Sequence, residues 1–150
     1  MPAPALPRSV LFMCRMNAVR SPMAERLARH ALPSSVFVAS AGIRVGTHDP
    51  FVDAVLAEDG LDIGQRTPRL LADLEDDYFD LIVTLAPEAH HAALELTRTL
   101  AVDVEYWPTP DPTATQGSRD QVLVAYRDTR DRLKARIEER FGLGPCGNRT

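Results

Sequence analysis

Apolar residues come in short unbroken runs along this chain, separated by stretches where they recur every three or four positions. Residues 9–14 read SVLFMC, 35–40 SVFVAS, 80–86 DLIVTLA and 101–107 AVDVEYW. Such runs, rich in β-branched side chains and lacking strict alternation, predict strands covered on both faces, as in a parallel sheet. Helix signals lie between them. Pro22 suits a first helical position, and Met23, Leu27 and Ala31 follow at four-residue intervals. Asp49-Pro50 opens a second helix through FVDAVLAED with Gly60 as its stop, and residues 87–100 form a third. Ser118 and Gln121 have the spacing of a capping box ahead of Val122, Tyr126, Thr129, Leu133, Ile137 and Phe141, one stripe of a long last helix. No internal repeat or interdomain linker interrupts this order. It predicts one α/β domain over residues 1–150, a three-layer doubly wound fold with a four-stranded parallel sheet, and flexible tails at 1–8 and 142–150. Ligands of such sheets bind at the carboxyl ends of the strands, and Cys14 ends the first one.

Composition narrows the function. A chain of 150 residues that is 45% hydrophobic has material for a proper core. A net charge of −4 and a pI near 5.5 argue against a nucleic-acid partner, whose phosphates call for a basic face. No apolar run reaches the roughly 18–20 residues of a membrane helix. The opening MPAPALPRSV places prolines where a signal peptide needs a continuous apolar segment, so the expectation is a cytoplasmic protein without a membrane partner. Cys14 and Cys146 are the two cysteines, too few for a disulfide framework.

The candidate chemistry lies in CRMNAVRSP, residues 14–22. A strand, a tight loop and a helix N-terminus aim several backbone N–H groups at one point, and the helix dipole adds partial positive charge there. Such a cradle favours the thiolate of a cysteine placed in it, and the thiolate is the nucleophilic form. Arg20 can grip two oxygens of a tetrahedral oxyanion bidentately. Ser21 can donate its hydroxyl to the sulfur, and Asn17 tolerates left-handed dihedrals and can tie the loop. Arg15, Met16, Ala18 and Val19 complete the loop. Phosphate fits this cradle best, with arsenate as its close mimic. By itself, a cysteine ending an apolar strand is a small buried hydrophobe. It is the company of Asn17, Arg20, Ser21 and Pro22 that changes this reading.

The C-x5-R-S-P pattern resembles the low-molecular-weight protein tyrosine phosphatases, and equally the arsenate reductases built on that fold. The likeness covers roughly residues 9–140, with SAG (40–42), Gly60-Leu61-Asp62-Ile63, FDLIVTL (79–85) and PDP (110–112) in the family's order. The resemblance implies a phosphatase-I-like fold in which Cys14 attacks phosphorus, Arg20 holds the equatorial oxygens and Asp111 protonates the leaving oxygen, then activates water. It also implies that Ser40 braces the phosphate loop alongside Asn17 and Ser21. No metal or cofactor is implied. The bland reading of Asp111 is a turn or helix-start residue, since Asp-Pro is common there.

Several positions depart from that family. Met16 stands where glycine is usual, Thr113 and Ala114 replace ring-stacking tyrosines, and Ile43, Arg44 and Val45 supply no aromatic wall. Gln65 occupies the place of a bracing histidine. The phosphoester machinery is therefore expected without the grip on an aromatic ring. The stretch TLAPEAHHAALEL has neither of the two further cysteines of thioredoxin-coupled arsenate reductases. His90 and His91 read as surface or satisfied residues and Trp107 as core, although it could lean over the site. Cys146 reads as an idle tail thiol, with a resolving role as the alternative.

Three functions follow. The first is a phosphomonoester hydrolase acting through a cysteinyl-phosphate, on a phosphorylated protein or a small phosphoester. The second is an arsenate reductase resolved by an external thiol such as glutathione or mycothiol. The third is a non-catalytic oxyanion-binding module.

Overall fold

The computed structural model describes residues 6–44, 46–62, 69–73 and 79–143. Four strands, β1 (Ser9–Cys14), β2 (Phe37–Gly42), β3 (Leu81–Thr84) and β4 (Asp103–Tyr106), form one parallel sheet in the order β2-β1-β3-β4. Four helices accompany them: α1 (Arg20–Ala31), α2 (Pro50–Glu58), α3 (Pro87–Leu96) and α4 (Arg119–Arg140). Short 3-10 turns at Leu71–Asp73 and Pro112–Ala114 complete the described elements.

Strand burial explains the unbroken apolar runs. Val10, Phe12 and Cys14 face a core shared with Met23 and Leu27 of α1, Val52, Val55 and Leu56 of α2, and Leu123, Tyr126, Leu133 and Ile137 of α4. Leu11 and Met13 face the opposite core, closed by Ala89 and Ala93 of α3. With both faces covered, every position of β1 is apolar or small. The three-layer doubly wound architecture expected from the sequence is the one observed.

Boundaries move by a few residues. α1 begins at Arg20, two residues before Pro22, because a proline within the first turn removes an N–H that has no intrahelical partner there. β2 starts at Phe37 rather than 35, since Val36 N closes a turn onto Pro33 O at 3.0 Å, and it runs on to Gly42, opposite Cys14. α3 stops at Leu96, with turns from Thr97 to Leu100. The capping box of α4 forms as expected, and Asp49 caps α2 by accepting from Phe51 N at 2.9 Å. The described ends of the chain make these contacts. Arg8 N donates to Asp80 Oδ2 at 2.7 Å, its carbonyl accepts from Phe37 N, and Leu143 N donates to Glu138 O while its side chain packs on the core. Among the described residues no helix is long and apolar enough to cross a membrane.

Candidate active site

The segment between β1 and α1 leaves the sheet at the carboxyl end of its second strand in spatial order, beside the end of β2. Strand β2 holds it there. Ile43 N and Arg44 N both donate to Arg15 O, at 3.0 and 2.9 Å, and Gly46 N donates to Met16 O at 3.0 Å. Asn17 carries the left-handed turn at φ 51°, the backbone freedom that Met16 lacks. It is fully buried, as is Ser21, while Arg15 and Met16 are exposed, Ala18 is half-buried and Val19 buried. Val19 lends α1 no capping side chain, so the first-turn amides keep their capacity for an anion.

Cys14 is 2% exposed, and its Sγ lies 2.9 Å from Ser21 Oγ. Asn17 Nδ2 donates to Ser21 Oγ at 2.9 Å and to Ser40 Oγ at 3.0 Å, while its Oδ1 accepts from Arg69 N at 2.7 Å. Ser40 donates in turn to Glu25 Oε1. Glu25 sits on α1 and is 5% exposed, with Arg29 Nη2 at 2.9 Å and Arg69 Nη2 at 3.6 Å. The loop is thus braced from behind by polar side chains of three segments, α1, β2 and the stretch at Arg69.

The segment after β4 closes the other side. Arg20 Nη1 donates to Thr109 O at 2.9 Å, and Thr109 is anchored in turn by Leu85 O and Trp107 O. Arg20 Nη2 lies 3.9 Å from Asp111 Oδ2; the guanidinium side chain is 10% exposed and the carboxylate 44%. Asp111 Oδ1 accepts from Thr113 N at 3.0 Å and from Thr113 Oγ1 at 2.7 Å, so the residue caps the 3-10 turn and keeps its other oxygen towards Arg20.

Contacts therefore join Cys14, Asn17, Ser21 and Ser40 in one set and Arg20 with Asp111 in another, with Arg15, Met16, Ala18 and Val19 forming the loop from Cys14 to Arg20. Glu25 and Arg69 extend the first set, Thr109 and Thr113 the second, and none of the four was singled out from the sequence as a site residue. The S-P-M-A-E stretch gave a weak signal for Glu25, a charged residue one turn into a helix at a buried position; Arg69 and Thr109 gave none, because their partners are 52 and 89 residues away. Trp107 is 3% exposed and meets Phe12 edge-on at 6.0 Å, in the core rather than over the site. His90 stacks on Tyr106 at 4.6 Å with Nδ1 3.0 Å from Thr84 Oγ1, a satisfied residue, and His91 is exposed. Val45, Ile63, Gln65 and Cys146 lie outside the described residues. Among those described, no group of three or more histidine, cysteine, aspartate or glutamate side chains could hold a metal ion.

Residues 9–141 match the family described as low molecular weight phosphotyrosine protein phosphatase. An arsenate reductase from Shouchella clausii is 32% identical over 132 residues, which span 87% of this chain and 92% of that protein. The arsenate reductase of Bacillus subtilis is 30% identical over 131 residues, with 87% and 92% covered. The crystal structure of an arsenate reductase from Archaeoglobus fulgidus superposes with a TM-score of 0.69 at 27% identity, covering 89% of this chain and 98% of the other.

Proposed function

This chain belongs to the low molecular weight phosphotyrosine protein phosphatase family, a family of cysteine-based enzymes, and from that premise we propose that it reduces arsenate through Cys14 with an external thiol as reductant. The observation that supports oxyanion chemistry is one braced loop with Cys14 Sγ against Ser21 Oγ at its start and Arg20 paired with the Asp111 carboxylate at its end. The preference for arsenate rests on relatives at 32% and 30% identity that are arsenate reductases, and it reverses the order drawn from sequence.

The steps follow from the residues. The Cys14 thiolate attacks arsenic and an As–O bond breaks. Arg20 and the loop amides stabilise the charge on the remaining oxygens. Asp111 gives its proton to the departing hydroxide, which leaves as water. An external thiolate then attacks the Cys14 sulfur. The S–As electron pair stays on arsenic, arsenite leaves, and Cys14 is held in a mixed disulfide with the thiol. A second thiolate releases Cys14, so one arsenate and two thiols yield arsenite, one disulfide and water. The segment after β3, residues 85–96, contains no cysteine, which is why the resolving thiol is taken to be external.

A second reading, phosphomonoester hydrolysis, is supported by the same placement of Asp111, since an alkoxide or phenolate leaving group needs that proton equally. The test is a paired assay of the purified chain. With arsenate and glutathione or dithiothreitol, arsenite is expected, and none from Cys14→Ser. Hydrolysis of p-nitrophenyl phosphate without arsenite would install the second reading. Activity in neither assay would sink both and leave an oxyanion-binding module.

A further inference from the structure

The loop that holds Cys14 presents two arginines to solvent beside the nucleophile. Arg15 follows Cys14 directly, and its carbonyl accepts from both Ile43 N and Arg44 N, at 3.0 and 2.9 Å. The backbones of Arg15 and Arg44 are thereby pinned together next to the residue that carries the reacting sulfur. Both side chains are exposed, and neither guanidinium has an ion pair, a hydrogen bond or a ring contact among the described residues. Carboxylates of the neighbouring segments do not neutralise them, because each is engaged elsewhere. Asp111 faces Arg20 and Thr113, Asp53 holds His48, and the two oxygens of Asp49 accept from Phe51 N and Tyr126. In a chain of net charge −4, Arg15 and Arg44 make an uncompensated cationic spot at the edge of the loop.

Arsenate has its own ligands inside the loop, Arg20 and the backbone amides. The second reactant meets different demands. An external thiolate must attack a sulfur that is 2% exposed, so it has to be slim enough to enter the loop, and the rest of the molecule stays outside. Carboxylates several bonds away from the attacking sulfur then come within reach of the loop edge, where a guanidinium can bind each of them bidentately. A thiol without carboxylates gives the two arginines nothing to hold. A cysteine set in the surface of a partner protein would have to project into the loop to reach Cys14. We infer that Arg15 and Arg44 set the specificity for the reductant: they dock the carboxylates of a small acidic thiol, of the glutathione type, while its sulfur reaches Cys14. The inference rests on the reading of Cys14 as a nucleophile resolved by an external thiol, but its main test needs no arsenate.

That test reads Cys14 through disulfide exchange, in a Cys146→Ser background where it is the one remaining thiol. The Cys14 thiolate attacks one sulfur of a disulfide, a mixed disulfide forms, and the other half leaves as a thiolate. Oxidised glutathione, rich in carboxylates, is compared with uncharged bis(2-hydroxyethyl) disulfide, and mass spectrometry follows both adducts. Dividing the first rate by the second cancels any change in the thiolate population. Combining Arg15→Gln and Arg44→Gln should lower this ratio roughly tenfold. With both arginines present, the ratio should fall in the same direction between about 0.01 and 1 M salt, as the screening length shortens from roughly 30 to 3 Å. A ratio unmoved by the two substitutions overturns the inference. So does a KM for glutathione in arsenite formation that Arg44→Gln leaves unchanged, or reduction by thioredoxin and not by glutathione. A ratio that falls as expected in a protein that forms no arsenite defeats the functional reading and leaves the selectivity of the loop for acidic thiols and disulfides standing.

Discussion

Asn17 and Gly42 set the shape of the loop at the level of single residues. Asn17 takes the one left-handed non-glycine conformation among the described residues, which asparagine adopts more readily than most. Gly42 ends β2 directly against it. A Cβ at position 42 would lie 2.6 Å from Asn17 N, 2.8 Å from Met16 C and 2.9 Å from Arg44 O, all backbone atoms that cannot swing aside. Gly42→Ala should therefore destabilise the fold by about 1–3 kcal/mol and displace the loop. Urea unfolding reads the first effect, and calorimetric titration with inorganic phosphate reads the second as weakened binding. Phosphate affinity equal to that of the wild type would show that the backbone has slack there. The residues legible in the sequence were those whose chemistry is local: Cys14, Asn17, Arg20 and Ser21 lie within eight positions of one another. Ser40 and Asp111 needed the family likeness. Glu25, Arg69 and Thr113 escaped because a buried carboxylate, a backbone N–H and a turn hydroxyl take their meaning from partners that only the folded chain supplies.

Elements were easier to read than their ends. The runs of the central strands β1 and β3 became strands because covering both faces of the sheet leaves no polar position to break them, whereas edge strand β4 carries polar residues at alternate positions. The ends were set by pairing and turns that propensity does not contain: β2 reaches Gly42 because β1 ends opposite it. Helix α4 is the exception, its start written locally. Ser118 Oγ accepts from Gln121 N at 3.2 Å and Gln121 Oε1 accepts from Ser118 N at 2.8 Å. This 22-residue helix covers α1 and α2 and also meets the turn after Asp111, so its first turn lies close to the site. Ser118→Ala is expected to cost about 1 kcal/mol of stability in denaturant unfolding. The arsenite assay should be unchanged, since no residue of the cluster bonds to Ser118. An unaltered unfolding midpoint would mean that the helix start is held by packing alone.

Across the whole molecule, α4 is tied to the entrance of α2 by one buried phenol. Tyr126 is 2% exposed, packs on Phe51 at 5.2 Å and donates to Asp49 Oδ2 at 2.6 Å, while Asp49 caps α2 through its other oxygen. Burial first, then the hydrogen bond and negative charge of Asp49, and lastly the charge of Asp111, push the Tyr126 hydroxyl well above its ordinary titration range. The folded protein therefore keeps this proton where the unfolded chain has released it. The contribution is complete below about pH 10 and is lost as pH rises above that value, because there the native state binds more protons than the unfolded one. Tyr126→Phe should cost about 1–3 kcal/mol at pH 8, where a hydrogen bond to a charged group is lost. The gap between the two proteins should then narrow by up to roughly 1.4 kcal/mol per pH unit above about pH 10, as the tyrosine form weakens and the phenylalanine form does not. Urea unfolding of both at matched pH isolates this term, because the two proteins differ only at position 126. A gap that stays constant from about pH 8 to 11 would mean that the phenol titrates equally in both states, and that α4 is held over the site by its apolar stripe without the Asp49 latch.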